Sequence, residues 1–393
     1  MSRNPITILV PSLGVGGAIR TAIHLAAGIA DRGYCVDLVS MRNLDALSGE
    51  VPDSVRLVQF GASRVRWSLP SLVSYVKTEQ PRSVIAISTV ANLMALAAIR
   101  LARTSTPLLV TEHNHLSSKA ISRELWTNRL SPWLARLTYS GADAIAAVSD
   151  GVADDLADIT RIARERIQVI YNPTYSPQYE FQARMPLVDD WFVPEAPPVI
   201  LAAGRLHPQK DFPTLLRAFR EFRSTRNARL VILGEGPERG HLEHVIHQLE
   251  LNSDVRLPGF DPNPFRYMSR ARMFVLSSRW EGLPGVLIQA MSVGCPVVST
   301  DCPSGASEIL HKGELGRLVP VGDHRSLANA MEAEIVAPQS VERLRSRARE
   351  FSLENSVNGH LSLLPSITPA EVLSIPDSNE HRMTDFAAAR IPA

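Results

Sequence analysis

The stretch from Arg279 to Ser304 reads RWEGLPGVLIQAMSVGCPVVSTDCPS, and it decides the fold of the chain. An apolar run of strand length, Met273–Ser277, leads into a turn at Gly282-Leu283-Pro284-Gly285. The pattern predicts a helix over Val286–Val293 and a second strand over Pro296–Thr300. Together these segments predict one strand–helix–strand unit of a parallel sheet, with its polar and flexible residues gathered in the first turn.

The start of that helix has the features of an anion site. The first N–H groups of a helix lack partners and carry a positive partial charge, and glycine lets a phosphate approach the backbone closely. Glu281 stands beside this turn, and Gln289 lies four residues beyond Gly285 on the same face of the helix. A ligand held at the turn would reach both side chains. Any strand–turn–helix unit of a parallel sheet has a similar turn, so this stretch alone does not distinguish a ligand-binding turn from an ordinary one. The other motifs of the chain are needed to distinguish them.

Length and composition predict a two-domain soluble protein. A chain of 393 residues is too long for one ordinary core, and 45% hydrophobic with 21% charged residues is typical of globular proteins. We expect no transmembrane helix, because no run of about 18 uncharged apolar residues occurs. The three cysteines cannot all pair and form no CxxC motif, which favours a reducing cytoplasm.

The charge is concentrated in one segment. Ten Lys and Arg residues face three acidic residues between Arg64 and Arg136, although the whole chain has a net charge of only +1. With Trp67, Trp126 and Trp133 interleaved, residues 64–136 are predicted to lie on an anionic membrane surface or to attract a phosphorylated acceptor. The alternative is that these arginines lie on the solvent faces of ordinary helices. Nucleic acid is not an expected partner.

In the first half of the chain, strands and helices alternate from Ile6–Val10 onward. The turn after that strand holds Gly14, Gly16 and Gly17 and lacks the GxGxxG spacing of a dinucleotide site. Polar residues follow later strands, among them His113, and ligands of open α/β sheets bind at that edge. A histidine there can hydrogen-bond a substrate hydroxyl or phosphate, or can serve the structure alone.

A proline-rich segment divides the chain. Six prolines between residues 173 and 198 indicate an interdomain connection, and a second alternating series begins at residue 199. The predicted organisation is a first domain over 1–175, a linker over 176–198 and a second domain over 199–351. A terminal helix over 352–364 is expected to pack back toward the first domain, and residues 365–393 to form a flexible tail.

The second domain opens with a basic pair. Arg205 and Lys210 flank the start of a helix predicted over Phe212–Phe222, for which Asp211 is the predicted N-cap. Such a pair after the first strand of a domain suits a diphosphate, although a surface pair is the alternative. His241, His244 and His247 are interpreted as a helix surface, because no nearby cysteine completes a metal set.

In their order along the chain, these motifs resemble the retaining nucleotide-sugar glycosyltransferases of family 4. That family has two facing Rossmann-like domains, the GT-B fold, each built on a mostly parallel, doubly wound sheet. The resemblance covers roughly residues 6–364. The matching segments are Gly16-Gly17, Glu112-His113, Val148-Ser149, Tyr171-Asn172-Pro173, Gly204-Arg205-Leu206, Lys210-Asp211-Phe212, Gly234-Glu235-Gly236-Pro237, Glu281-Gly282-Leu283-Pro284 and Gly294-Cys295-Pro296-Val297-Val298.

The resemblance implies a role for each matching position. Arg205 and Lys210 would neutralise the donor diphosphate, completed by the backbone amides of Gly285, Val286 and Leu287. Glu281 would hold hydroxyls of the transferred sugar, Gln289 the ribose, and Gly259 with Phe260 the base. Gly16 and Gly17 would approach the donor phosphates from the first domain, and His113 would lie near the reacting sugar. No cofactor is implied beyond the donor itself, and the lack of any Asp-x-Asp motif argues against a metal on the diphosphate.

One position departs from the family pattern. The family has a second glutamate eight residues after the first, where this chain has Gln289. An amide oxygen still accepts a hydrogen bond from a ribose hydroxyl, but the charge-assisted strength of a carboxylate is lost. Weaker donor binding is one consequence, and Gln289 cannot act as a base.

The sequence thus predicts a metal-independent glycosyltransferase that moves a sugar, with a UDP-sugar favoured, to a glycan or lipid-linked glycan in surface polysaccharide biosynthesis. The expected location is the cytoplasm, with peripheral contact at the membrane. Two alternatives stay open. A nucleotide-sugar epimerase would use the same fold without an acceptor. A non-catalytic sugar-nucleotide binding protein would be consistent with Gln289 in place of the second glutamate.

Overall fold

A computed structural model describes residues 4–14, 16–43, 46–121, 126–365 and 367, with side chains left out for 119–121 and 126–129. Part of the basic segment 64–136 lies outside the described residues, namely Arg123, Glu124 and the side chains of Lys119, Trp126 and Arg129. The predicted tail after residue 367 lies outside them too. Among the described residues, no helix is both long enough and apolar enough to cross a bilayer.

Strands and helices alternate through both halves of the chain. The strands are β1 (Ile6–Val10), β2 (Val36–Arg42), β3 (Val55–Ala62), β4 (Ser83–Ile87), β5 (Leu108–Glu112), β6 (Ala144–Ala147), β7 (Ile167–Val169), β8 (Val199–Ala203), β9 (Arg229–Leu233), β10 (Val255–Gly259), β11 (Met273–Leu276), β12 (Val297–Thr300) and β13 (Arg317–Val319). The helices are α1 (Gly17–Ala30), α2 (Leu69–Glu79), α3 (Thr89–Ala102), α4 (Leu116–Ile121), α5 (Trp126–Thr138), α6 (Asp150–Thr160), α7 (Gln178–Arg184), α8 (Phe212–Thr225), α9 (Arg239–Gln248), α10 (Phe265–Met268), α11 (Gly285–Ser292), α12 (Ala306–Ile309), α13 (His324–Val336), α14 (Val341–Arg349) and α15 (Leu353–Ser362).

These strands form two separate parallel sheets. In the described residues the first sheet has the order β3-β2-β1-β4-β5-β6-β7, and the second has the order β10-β9-β8-β11-β12-β13. Each sheet grows outward in both directions from its first strand, so helices cover both faces and the strands are nearly continuous apolar runs. The predicted fold class, α/β with two Rossmann-like domains, is confirmed.

Four apolar clusters fill the space between sheets and helices. Strand residues of the first sheet divide between one cluster with α2, α3, α5 and α6 and another with α1 and α15. The second sheet likewise packs against α8, α9 and α13 on one face and α10, α11, α12 and α14 on the other. Because the strands of each sheet are parallel, their carboxyl ends lie at one shared edge, and because both faces are covered by helices, the loops at that edge are the part free to carry a site.

Two segments differ from the sequence-based prediction. Strand β3 is not predicted, because it lies at the edge of the first sheet and its side chains are mostly part-exposed. The proline-rich segment contains helix α7, and Ala183 and Trp191 are buried in a core of the second domain. This helix of seven residues is too short to show a clear apolar period.

The C-terminal helix α15 packs on the first domain. Val357 and Leu361 are buried in the same cluster as α1. Gly28 of α1 makes this contact close, since a Cβ there would lie 2.7 Å from the Cγ2 atom of Val357. The chain therefore passes from the first domain to the second and returns to the first.

Candidate active site

A lysine and a glutamate meet at the carboxyl edge of the second sheet. Nζ of Lys210 donates to Oε1 of Glu281 over 2.6 Å. The meeting follows from the topology, because Lys210 comes after β8, Glu281 comes after β11, and these strands are neighbours. The two loops are also tied through Gln209, whose Nε2 donates to the carbonyl of Trp280 over 2.8 Å, and through Ser277, whose hydroxyl donates to the carbonyl of Lys210 over 2.7 Å.

The carboxylate of Glu281 has further donors around it. The hydroxyl of Ser278 donates to Oε1 over 2.6 Å, and Nε2 of Gln209 approaches Oε2 at 3.4 Å. Side-chain exposure is only 16% for Lys210 and 9% for Glu281, so each charge depends on the other for compensation. An anionic ligand arriving here would compete with Glu281 for the lysine.

Arg205 lies on the loop that joins β8 to Lys210. Its side chain is exposed, and within the described residues it makes no hydrogen bond or ion pair. The side chain of Lys210 folds back over Gly204, the residue before Arg205, because a Cβ at Gly204 would lie 3.1 Å from Cε of Lys210. The loop therefore presents one cation held by Glu281 and one cation open to solvent.

The start of α11 offers two of the three predicted backbone donors. The N–H of Leu287 donates to the carbonyl of Pro284 over 3.0 Å, whereas those of Gly285 and Val286 have no acceptor within the described residues. Thr174 lies against this turn, since a Cβ at Gly285 would come within 2.9 Å of its Cγ2. The N-terminal end of α11 is thus open to an anion at its first two amides.

Asp211 is the N-cap residue of α8, as predicted, but its side chain makes no capping hydrogen bond. Its carboxylate accepts from the hydroxyl of Thr214 over 2.9 Å and pairs with Arg279, at 3.1 Å from both Nε and Nη2. A left-handed backbone at Asp211, with φ of 47°, turns the carboxylate away from the first amides of the helix. Arg279, a third cation at this edge, was missed by the sequence analysis although it begins the stretch that decides the fold.

Gln289 lies beside a tyrosine that the sequence analysis also missed. Burial raises the pKa of the Tyr179 hydroxyl, and the side chain of Gln289 lies within hydrogen-bonding reach of it. The ring of Tyr179 stacks on Phe265, with 4.0 Å between ring centroids. The neutral amide of Gln289 thus lies near α7, a helix inside the proline-rich segment where no ligand position was expected.

The remaining glycines predicted to contact the donor lie after β1 in the first domain and at the end of β10 in the second. A Cβ at Gly16 or Gly17 would meet nothing within 4 Å, so the backbone at the start of α1 is accessible. At Gly259 a Cβ would come within 3.0 Å of Glu235, which forms an ion pair with Arg239. Phe260 is 64% exposed beside it.

His113 is a neutral, buried histidine in the first domain. Burial, with a smaller contribution from His360, lowers its pKa to about 3. The Thr111 hydroxyl donates to the carbonyl of Ala86 over 2.8 Å, so it must accept from Nε2 of His113 at 3.2 Å. Nδ1 is then the unprotonated nitrogen, and it has no hydrogen-bond partner within the described residues. This nitrogen is buried, so a substrate hydroxyl would reach it only after the residues that cover it move.

The two domains touch beside His113 and Glu281. A Cβ at Gly282 would lie 2.1 Å from the carbonyl oxygen of His113, so only a residue without a side chain fits there. The hydroxyl of Ser149, the N-cap of α6, donates to the carbonyl of Gly282 over 2.8 Å. The fold therefore brings His113 of one domain next to the Lys210–Glu281 pair of the other.

Comparison with known proteins agrees with this arrangement. The model for glycosyltransferase family 4 matches residues 15–174, and the model for glycosyl transferases group 1 matches residues 187–351. The lipopolysaccharide core biosynthesis glycosyltransferase LpsE of Rhizobium meliloti is 31% identical over 246 residues, which cover 61% of this chain and 69% of LpsE. The chain belongs to glycosyltransferase family 4.

A second relative of this chain carries a more detailed name. The N-acetylgalactosamine-N,N'-diacetylbacillosaminyl-diphospho-undecaprenol 4-alpha-N-acetylgalactosaminyltransferase of Campylobacter jejuni is 32% identical over 241 residues. The match covers 61% of this chain and 63% of the Campylobacter enzyme, which is just under two thirds of that enzyme's length.

Solved structures share the fold of this family-4 chain. HepE from Anabaena, solved in complex with UDP-glucose, has a TM-score of 0.76 at 22% identity, with 92% of this chain and 100% of HepE covered. The apo form of the lipopolysaccharide outer core galactosyltransferase WaaB has a TM-score of 0.72 at 20% identity, over 91% and 99% of the two chains.

Proposed function

We propose that this chain is a retaining, metal-independent glycosyltransferase. It would move a sugar from a nucleoside diphosphate sugar, with a UDP-sugar as the first choice, to a hydroxyl of a glycan or lipid-linked glycan in surface polysaccharide biosynthesis. The observation that carries the proposal is the 2.6 Å contact between Lys210 and Glu281 beside the open amides of α11. A cation for the leaving group and a carboxylate for the sugar thus lie side by side.

The leaving group is the part of the reaction that these residues address. As the bond to the sugar breaks, negative charge grows on the departing diphosphate, and donors already in place stabilise it without reorganisation. Lys210, Arg205 and the amides of Gly285 and Val286 are the candidate donors. Once a diphosphate takes Lys210, Glu281 is free to accept hydrogen bonds from hydroxyls of the transferred sugar.

The acceptor enters from the first domain in this proposal. His113 stays uncharged at neutral pH because burial lowers its pKa to about 3, and its buried Nδ1 would become a neutral hydrogen-bond acceptor once the acceptor displaces the residues that cover it. An uncharged partner suits a sugar hydroxyl better than a phosphate. Retention and freedom from a metal are carried over from the family resemblance, and the anomeric configuration of the product, read by proton NMR, tests the first of them.

The choice of substrates is supported by the named relatives. The Campylobacter relative is named for a diphospho-undecaprenol acceptor, the Rhizobium relative for lipopolysaccharide core, and the Anabaena protein was solved with UDP-glucose. A lipid-linked acceptor and a uridine donor are therefore the first to test. Epimerase activity would instead convert a donor with no acceptor present, and a binding protein would convert none.

Nucleotide sugars are expected to raise the melting temperature of the chain. A donor at 100 times its dissociation constant adds about 2.7 kcal/mol of stability, which corresponds to a shift of about 3 °C for a chain of 393 residues. Differential scanning fluorimetry with a panel of UDP-, GDP- and ADP-sugars would identify the donor. The stabilising donor is then incubated with and without undecaprenyl-diphosphate-linked glycans to separate transfer from epimerisation.

Free UDP, GDP and ADP serve as the controls for the base. No stabilisation by any donor or nucleotide would contradict the proposal, and stabilisation without any turnover would favour the non-catalytic alternative.

We further propose that the first domain contacts an anionic membrane surface. On α5, Leu130, Trp133 and Leu137 are 44%, 58% and 57% exposed, and their spacing of three and four residues places them on one stripe. Trp67 is also exposed, with the guanidinium of Arg66 4.7 Å from the centroid of its ring. Apolar side chains beside exposed arginines fit the interface of an anionic bilayer.

Replacing Leu130, Trp133 and Leu137 with glutamine is expected to weaken binding to anionic vesicles at least tenfold, because each loses a side chain that would enter the interface. Binding is measured by flotation with phosphatidylcholine vesicles that contain either no phosphatidylglycerol or 30 mol% of it. Val336→Gln, at a side chain 70% exposed in the second domain, is the matched control. Equal flotation of the wild type with both vesicle types would refute the electrostatic part, and full binding by the triple variant would refute the role of α5.

A further inference from the structure

One carboxylate of the second domain bonds to two segments of the first. Oε2 of Glu308, on α12, accepts from the backbone N–H of Asp150 over 2.9 Å, and Oε1 accepts from the Tyr171 hydroxyl over 2.6 Å. Asp150 is the first residue of α6, and Tyr171 lies where the chain leaves the last strand of the first sheet. No role for Glu308 follows from the sequence motifs.

The contact places the carboxylate of Glu308 at the start of a helix. The first N–H groups of a helix lack intrahelical partners and carry a positive partial charge, so a carboxylate is stabilised there. Burial raises the pKa of Glu308, and the hydrogen bonds from Tyr171 and from the amide of Asp150 oppose that rise. The carboxylate of Asp150 adds to the rise in the pKa of Glu308, although its Oδ1 also lies 2.6 Å from Nη2 of Arg164.

Glu308 is fixed within its own domain. The buried guanidinium of Arg347, on α14, donates to the backbone carbonyl of Glu308 over 2.9 Å and to that of Ile309 over 3.2 Å. Helix α12 therefore cannot shift without α14. The position of the Glu308 carboxylate is therefore coupled to the core of the second domain.

The contact lies beside the residues assigned to the reaction. Ser149, next to Asp150, donates to the carbonyl of Gly282, and Gly282 meets the carbonyl of His113. At Gly151 a Cβ would lie 2.9 Å from Cα of Ser304, so the domains are close here too. The separation between His113 and Glu281 depends on this set of contacts.

We infer that Glu308 is a positioning residue that holds the two domains in the arrangement needed for sugar transfer. It does so by accepting hydrogen bonds from the start of α6 and from Tyr171 at the same time. Its effect on transfer rests on the proposed function, whereas its effect on the separation of the domains does not. These two effects are measured separately.

The separation is measured by double electron–electron resonance on the full chain. Spin labels are placed through Lys77→Cys on α2 and His247→Cys on α9, both exposed, in a Cys35→Ser background. The two other cysteines are buried. With Glu308→Ala we expect a longer and broader distance distribution than in the parent, whereas an unchanged distribution would overturn the inference. Glu308→Gln should keep the parental distance, because its amide can accept from Asp150 and donate to the Tyr171 oxygen.

Steady-state kinetics supply the second readout. Glu308→Ala is expected to lower kcat for transfer at least tenfold, while the donor Kd stays within about threefold because the donor groups lie mainly in the second domain. Glu308→Gln should restore most of kcat, and Glu314→Ala, at an exposed acid of the same domain, is the matched control. If the parent chain transfers no sugar, the proposed function fails and the distance measurement alone decides the role of Glu308. Parental kcat in Glu308→Ala would overturn that role.

Discussion

Arg205→Ala is expected to reduce the rate of sugar transfer by about 10²–10³-fold, as the loss of one preorganised donor to a developing negative charge does in other enzymes. The side chain of Arg205 is exposed and has no partner in the described part of the chain. Its removal should therefore change the free energy of unfolding by less than about 0.5 kcal/mol. A large kinetic effect with an unchanged melting temperature would show that the guanidinium acts on the substrate.

Lys210→Ala should reduce the rate of sugar transfer by a similar factor, and it should lower the free energy of unfolding more than Arg205→Ala does. Glu281 would lose its ion-pair partner while its carboxylate stays largely buried, which costs about 1–3 kcal/mol. Ser278 and Gln209 still donate to that carboxylate, so the chain is expected to fold. Circular dichroism melting and product release from the stabilising donor measure the two effects.

Arg217→Ala is the matched control for both variants, since Arg217 is an exposed arginine on α8 in the same domain. Its transfer rate and melting temperature should equal those of the parent. Wild-type transfer by either Arg205→Ala or Lys210→Ala would remove that residue from the site.

The sequence predicts much of this fold because parallel sheets buried on both faces leave a plain signal. Strands such as Ile6–Val10 and Val199–Ala203 are continuous apolar runs, and glycine or proline marks their ends. The signal fails where burial is partial, as in β3 at the edge of the first sheet, or where a helix is as short as α7. In both cases tertiary contacts supply a stability that local pattern does not show.

The candidate site divides in the same way. Lys210 and Glu281 can be predicted from motifs, because each follows a strand and the two strands become neighbours. Tyr179 and Glu308 cannot be predicted from local pattern, because their partners Gln289, Asp150 and Tyr171 are distant in sequence and the contacts depend on how the two domains meet. Arg279 lies inside the key stretch, but the motif that predicts Asp211 as the N-cap of α8 says nothing of the ion pair between Asp211 and Arg279.

The close approach of the domains at Gly282 leads to the second large effect. Gly282→Ala is expected to lower kcat for transfer about 10²-fold while leaving the donor Kd within about threefold. The added Cβ would lie 2.1 Å from the carbonyl oxygen of His113 and 2.9 Å from its carbonyl carbon. Both are backbone atoms of the other domain, which cannot rotate away as a side chain would. The domains would have to separate by about 1 Å, and a displacement of that size at a reacting centre is enough for such a loss.

The backbone of Gly282 itself imposes no such requirement, since its φ lies outside the left-handed range. Any loss in the alanine variant thus reports on the approach of the domains and not on local strain. Gly240→Ala on α9 is the matched control, because a Cβ there meets nothing within 4 Å and should stabilise the helix by about 0.5–1 kcal/mol. Measurements of kcat and of donor binding by calorimetry separate the effect on transfer from the effect on donor binding. Parental kcat in Gly282→Ala would exclude this contact from the reacting arrangement.

When Gly282→Ala is combined with Glu308→Ala, the loss of kcat should be smaller than the product of the two single losses, because both substitutions separate the same two surfaces.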